Sequence, residues 1–187
     1  PAASAVSADD ARGYLKGRGL ADERVWDEAS IGCVLTGKWA NRVVVPVISP
    51  AGEWWGWVSR LWSREASDPY RTAPGMVLGG GMFNDAALMV ETDDPVMVVE
   101  GCFDALPYWP DAVAALGKPK QLQVTSLMES KRPVAVCLDG DAWEEGMMLA
   151  ARLQFEGQRA GFVRLPPKQD PNSVDTEWLR EEVARCL

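Results

Sequence analysis

The chain has 187 residues, 47% of them hydrophobic and 25% charged, with a formal net charge of −8 and no histidine. This is the composition of an ordinary globular protein, long enough for one good-sized domain or two small lobes sharing a core. It excludes a general basic coat for nucleic acid, a transmembrane helix, since no apolar run reaches about 18 residues, and a serine-protease type of triad.

The N-terminal stretch PAASAVSADDARGYL has no basic segment followed by an apolar one, so it does not read as a signal peptide. Its first few small residues are expected to be poorly ordered. A helix is predicted from Asp9 to about Leu20, capped by Asp9 or Asp10, with Gly19 near its end. A second short helix runs through Val25 and Trp26. Val43 to Ile48 and Trp54 to Ser59 are rich in β-branched and aromatic residues and flank the turn Ser49-Pro50-Ala51-Gly52, which predicts an antiparallel hairpin. Trp54, Trp55 and Trp57 alternate imperfectly on its second strand; core packing is expected for at least two of them. Leu61 to Asn84 is polar and irregular.

The second half has another rhythm. Short apolar runs at Val96–Val99, Val113–Leu116, Val134–Leu138 and Phe162–Leu165 alternate with helical stretches, the clearest being Trp143 to Gln154, with Met147, Ala150, Ala151 and Phe155 at helical spacing. Apolar strands alternating with helices indicate a parallel sheet covered on both faces. An amphipathic helix from about Thr176 closes the chain, with Leu179, Val183 and Cys186 on one side. The fold class is therefore α/β: an α+β lobe of helices and a hairpin over residues 1–92, a parallel-sheet lobe over 93–175, and a C-terminal helix over 176–187.

The acid is concentrated where that sheet lies. Residues 1–90 carry nine basic and ten acidic side chains, a net of −1, whereas residues 91–187 carry ten and seventeen, a net of −7. Glu100 follows VMVV, and Asp139 and Asp141 follow VAVCL as Asp-Gly-Asp. Carboxyl ends of parallel strands line the ligand crevice of such sheets. Carboxylates gathered there repel one another, a penalty that a divalent cation removes, and an all-oxygen set favours Mg²⁺ or Mn²⁺. Asp170 again falls just beyond a strand end, in PPKQDPNSVD. Zinc is not expected, because Cys33, Cys102, Cys137 and Cys186 form no Cys-x-x-Cys pair. Cys102 and Cys137 sit in or beside apolar runs as small hydrophobes, and a reducing cytoplasm fits this usage.

Glu-Gly after the first of these strands and Asp-Gly-Asp after the third, about forty residues apart by the numbering, resemble the Toprim pattern in order and spacing. The likeness extends upstream. ARGYLKGRGLADERVWDEASIG is similar to the segment opening the RNA-polymerase domain of bacterial-type DNA primases. NRVVVPVISPAGEWWGWVSRLW resembles that family's Arg-Val-x-x-Pro-Ile hairpin, with Gly56 to Arg60 as its Gly-x-x-x-Arg; DPYRTAP resembles Pro-Lys-Tyr-Leu-Asn-Ser-Pro; and MFND resembles the phrase leading into the Toprim lobe. The resemblance covers about Asp10 to Asp175.

The resemblance implies metal ligands at Glu100, Asp139 and Asp141, and at Asp104 through Glu-Gly-x-x-Asp, although Asp104 also reads as a helix-start acid. It places Asp170 at the first acid of the family's Asp-Pro-Asp, with Asn172 in place of the second, a neutral and weaker ligand. Arg60 falls where the family carries a basic residue needed for RNA synthesis, holding a nucleotide or template phosphate. Pro69 takes the position of the family's lysine, and Arg71 is the candidate substitute; Arg42 and Lys38 are further candidates, for which a solvated surface charge is the preferred reading.

The implied activity is synthesis of short RNA primers from NTPs on single-stranded DNA, using Mg²⁺ or Mn²⁺, with a replicative helicase or other replisome protein as a possible partner and no membrane association. The alternatives are a Toprim metal-dependent nuclease and a non-catalytic DNA- or replisome-binding module; a type IA topoisomerase fits poorly. The family's zinc ribbon and helicase-binding domain have no counterpart here, which fits either an excised core or a small primase of a phage or mobile element.

Overall fold

The computed structural model describes residues 7–62 and 69–187. The expectation for the extreme N-terminus falls on residues 1–6, outside the described residues, as does Asp68 of DPYRTAP. Contacts divide the chain into two compact units, residues 1–47 with 54–76 and residues 48–53 with 77–187.

In the first unit, α1 (Ala8–Lys16) starts one residue earlier and ends earlier than its sequence suggests. Ser7 is the N-cap, and Asp10 reaches back to accept the Ser7 N–H at 2.9 Å, so Asp10 completes the cap from inside the helix. Gly17 and the left-handed Gly19 (φ 79°) end it. In α2 (Glu23–Glu28), the Asp22 carboxylate accepts the Arg24 N–H at 3.0 Å.

A four-stranded sheet follows in the order β1-β2-β3-β4: β1 (Gly32–Val34), β2 (Arg42–Ile48), β3 (Trp54–Leu61) and β4 (Tyr70–Thr72). The hairpin is present as expected. The short strands β1 and β4 were not expected; with three residues each and no clear alternation, only their antiparallel partners β2 and β3 define them. Val43, Val45 and Val47 are buried, as are Gly56 and Val58 of β3. The tryptophan expectation fails: Trp54 is 63% and Trp55 37% exposed, and Trp57 is half-buried, edge-on to Trp39 with ring centroids 5.4 Å apart. The inward positions of β3 are held by Gly56 and Val58, and a Cβ on Gly56 would stand 2.9 Å from the Met76 sulfur.

In the second unit, β5 (Val96–Val99), α3 (Cys102–Ala105), β6 (Ala112–Ala114), α4 (Gln121–Met128), β7 (Val134–Val136), α5 (Trp143–Phe155), β8 (Ala160–Phe162) and α6 (Thr176–Arg185) follow in sequence. The strands form one parallel sheet in the order β6-β5-β7-β8. Val96, Val98, Val134 and Val136 pack with Leu127 of α4 and Leu153 of α5 in its core. Strand β8 lies two residues earlier than the apolar run Phe162–Leu165 suggests. Gly161 fits in it because a Cβ there would meet the Cys186 carbonyl oxygen at 2.1 Å.

Of the residues at the expected helical spacing in α5, Ala150 faces inward while Met147, Ala151 and Phe155 face outward. Gly146, Leu149, Ala150 and Leu153 are buried, while Met147 is 47% and Phe155 89% exposed. A Cβ on Gly146 would lie 2.8 Å from the Phe162 ring, so close approach to β8 selects the small residue. The expected boundary near residue 92 falls inside this unit. Phe83 exchanges backbone hydrogen bonds with Ala114 at 2.8 and 3.1 Å, Asn84 Nδ2 donates to the Pro110 and Ala112 carbonyls at 2.8 and 2.9 Å, and the 3-10 turn Asp85–Met89 buries Ala87 and Leu88. Among the described residues no helix is long and apolar enough to cross a membrane.

Candidate active site at the strand ends

Strands β5 and β7 lie side by side at the centre of the parallel sheet, and their crossovers leave in opposite directions, to β6 and to β8. That arrangement opens a crevice at their carboxyl ends. Glu100 is the first residue after β5, and its carbonyl accepts the Gly117 N–H at 3.0 Å. Gly101 caps α3, and a Cβ there would stand 2.4 Å from Asp104 Oδ2, so a side chain at residue 101 would displace that carboxylate. Asp104 is 8% exposed in the first turn of α3.

On β7 the apolar run continues through Cys137, whose N–H donates to the Val98 carbonyl at 2.9 Å, and ends at Asp139. The Asp-Gly-Asp turn is sewn to the segment carrying Asp170. Gly140 N–H donates to Gln169 O at 2.8 Å, and Lys168 N–H donates to Asp141 Oδ1 at 3.1 Å. There is no room for a side chain at residue 140, where a Cβ would sit 2.0 Å from the Pro166 carbonyl oxygen. Two further ties fix Asp170. The buried Tyr108 hydroxyl donates to Pro171 O at 2.8 Å, and Ser173 Oγ accepts the Asp170 N–H at 2.9 Å. Asn172 is half-buried beside them.

Electrostatics join these acids. Burial pushes the Asp139 carboxyl up from 3.8 to about 6, and the charges of Glu100, Asp170 and Asp141 push in the same direction. Burial pushes the Cys137 thiol up to about 12, with Cys186, Asp139 and Asp104 adding to the rise. That thiol is unreactive. Asp139 Oδ1 and Asp170 Oδ1 are buried without a hydrogen-bond partner, a costly state for a carboxylate oxygen. Two orphaned oxygens within an all-carboxylate set suit a hard divalent cation. Among the described residues, however, no three Asp, Glu or Cys side chains converge into a ready-formed metal site.

The basic candidates of the first unit divide. Arg42 is only 6% exposed; its guanidinium donates to Pro69 O at 2.9 Å and lies 5.9 Å from the Trp39 ring, so the expected solvated charge is in fact a buried tie between strands. Lys38 is exposed, 5.4 Å from the same ring. Arg60 pairs across the sheet with Tyr70, donates to its hydroxyl and stacks 4.6 Å over its ring. Arg71 pairs with Ser59, one residue along, so it projects from the opposite face of the strand pair to Arg60. Sequence reasoning passed over Lys118, which follows Gly117 at the end of β6 and forms an ion pair with Glu145. The signal was the pair Lys118 and Lys120 in the turn that follows a parallel strand.

No family model matches the chain, and no curated protein sequence matches it. Among solved structures it is similar to the Aquifex aeolicus primase (zinc-binding and RNA polymerase domains), at 24% identity over 95% of this chain and 55% of that one, with a TM-score of 0.76. It is similar to a DnaG primase catalytic domain bound to single-stranded DNA, at 20% identity over 96% of this chain and 74% of that one, with a TM-score of 0.76. For the E. coli primase catalytic core the identity is 21%, the coverage 96% and 74%, and the TM-score 0.74. The chain thus spans about half of the Aquifex chain and about three-quarters of the other two. An antiparallel sheet followed by a Toprim-type parallel sheet, in a chain aligned almost throughout with these structures, gives it the fold of the RNA-polymerase core of bacterial-type DNA primases.

Proposed function

We propose that this chain is the catalytic core of a primase, joining NTPs into short RNA primers on single-stranded DNA. The observation that carries the reading is the Asp139 carboxyl: half-buried, raised to about 6 beside Glu100, Asp141 and Asp170, and left with an unpartnered oxygen at a sheet switch point. Glu100, Asp139 and Asp141 would hold Mg²⁺ or Mn²⁺, with Asp170 assisting and Asp104 and Asn172 at the margin. When bound, such a cation supplies a lowered pKa for the attacking hydroxyl and neutralises triphosphate charge. The chain's own residues do the rest. The Gly140 turn keeps Asp139 and Asp141 beside the Asp170 segment, and Arg60, oriented by Tyr70, binds a nucleotide or template phosphate. Catalysis is positioning plus electrostatics, with no covalent intermediate.

The test is primer synthesis on single-stranded DNA with NTPs and Mg²⁺ or Mn²⁺. Asp139→Ala and Asp141→Ala should each abolish it while the fold is retained by circular dichroism; full activity in either variant refutes the mechanism. Cleavage of labelled single-stranded DNA without NTPs, and no synthesis, would assign the nuclease reading instead. Two observations favour a non-catalytic module: among the described residues no three acids converge into a ready-formed site, and Asn172 stands where the family has a second acid. Mn²⁺ binding with no polymerisation on any template would select that reading.

A further inference from the structure

A triphosphate entering a crevice lined by Glu100, Asp139, Asp141 and Asp170 meets repulsion from every wall that carries a charge. A cation placed at the rim by the fold would oppose it. The turn after β6 does this. Leu116 (φ 60°) and Gly117 (φ 121°) both adopt left-handed backbone, and Gly117 N–H is tied to the Glu100 carbonyl at 3.0 Å. A leucine in that region is uncommon and strained. The turn delivers Lys118 next to the first metal-site candidate, with its ammonium on Glu145 in the first turn of α5. Hydrogen bonding to Glu145 holds the ammonium above its ordinary range, and the charge of Glu100 acts on it too.

Stability does not explain this placement. The pair is exposed, with 56% of the Lys118 and 43% of the Glu145 side chain accessible, and exposed ion pairs add little to stability. The lysine is therefore available to exchange partners. A triphosphate, with several charged oxygens within reach, offers the ammonium more charge than one carboxylate.

We propose that Lys118 is a triphosphate-binding residue of the acidic crevice, parked on Glu145 and transferred to the incoming NTP. The assignment rests on the primase reading of that crevice. Binding exchanges one ion pair for another, so no bond forms or breaks, and Glu145 sets the affinity by competing for the ammonium.

The experiment measures ATP binding in the presence of Mg²⁺ by calorimetry, and the NTP KM and kcat in primer elongation. Lys118→Ala should weaken ATP and raise KM roughly tenfold, the scale of one lost charge-assisted hydrogen bond, with kcat little changed. Lys118→Arg should recover most of the affinity. Glu145→Gln should tighten ATP by about two- to threefold by freeing the lysine, and should do nothing in the Lys118→Ala background. Melting temperatures should stay within about 2 °C of wild type in all variants. Unchanged ATP affinity and KM in Lys118→Ala, with primers still made, overturn the inference and leave the primase reading standing. A wild-type chain that neither binds ATP nor makes primers overturns both.

Discussion

Asp139→Asn should make the protein more stable and inactive at once. In the native state the Asp139 carboxyl titrates at about 6 against an ordinary 3.8. Each tenfold change in proton affinity corresponds to about 1.4 kcal/mol, so ionising this group in the folded chain carries a penalty of up to about 3 kcal/mol. Asp139 keeps part of its surface in solvent, and screening reduces the figure to roughly 1–2 kcal/mol. The sign follows from the raised value: the folded chain binds the proton more tightly than the unfolded one. The stabilisation from that proton is full below pH 3.8 and is lost as the pH rises through about 6. Neutral asparagine never incurs the loss. Urea unfolding with EDTA present should therefore show Asp139→Asn ahead of wild type by roughly 1–2 kcal/mol near pH 7.5, by about half that near pH 5, and by nothing near pH 3.5 if both still fold there. Adding Mn²⁺ should stabilise wild type and leave Asp139→Asn unchanged. A variant no more stable than wild type at pH 7.5, or a gain that does not shrink on acidification, refutes the reasoning.

Gly140→Ala places a methyl 2.0 Å from the Pro166 carbonyl oxygen and forces the 2.8 Å bond from Gly140 N–H to Gln169 O apart. The expected loss is about 2–4 kcal/mol from overpacking plus one hydrogen bond, read as a lowered urea midpoint, together with weakened Mn²⁺ binding. Arg60→Ala should lower primer synthesis at least about tenfold, the scale of a lost phosphate contact, whereas Arg71→Ala, on the opposite face of the strand pair, should change it by less than about threefold; equal losses would deny the two faces different roles.

The placement of the candidate site's acids at strand ends was legible in the sequence, because its signals are local. A continuous apolar run such as Val96–Val99 reads as a buried parallel strand, and an acid directly after it, Glu100, has to emerge at the strand's end. Asp139 and Asp141 follow from the same logic on β7. Other features were not local. Met147 and Phe155 of α5 lie on its outer face, because the depth at which it packs on β8 is set by Gly146 against Phe162, a contact across sixteen positions of sequence. Arg42 reads as a surface charge until the Pro69 carbonyl, from another part of the chain, is found accepting a hydrogen bond from its guanidinium. Strands β1 and β4 exist through their partners rather than through any pattern of their own.

The sequence by itself therefore determined the alternating strands and helices, the acids at their ends and the glycines beside them, since period, length and turn chemistry are written in neighbouring residues. Only the tertiary structure decided which acids act on one another. Glu100 and Asp170 add to burial in raising Asp139, and Asp104 adds to the rise at Cys137, because strand order and the Pro166–Gln169 crossing bring together side chains that lie tens of residues apart. The same long-range geometry brought Lys118 and Glu145 together beside that crevice, where the sequence had shown only two lysines in a turn and two acids at a helix start.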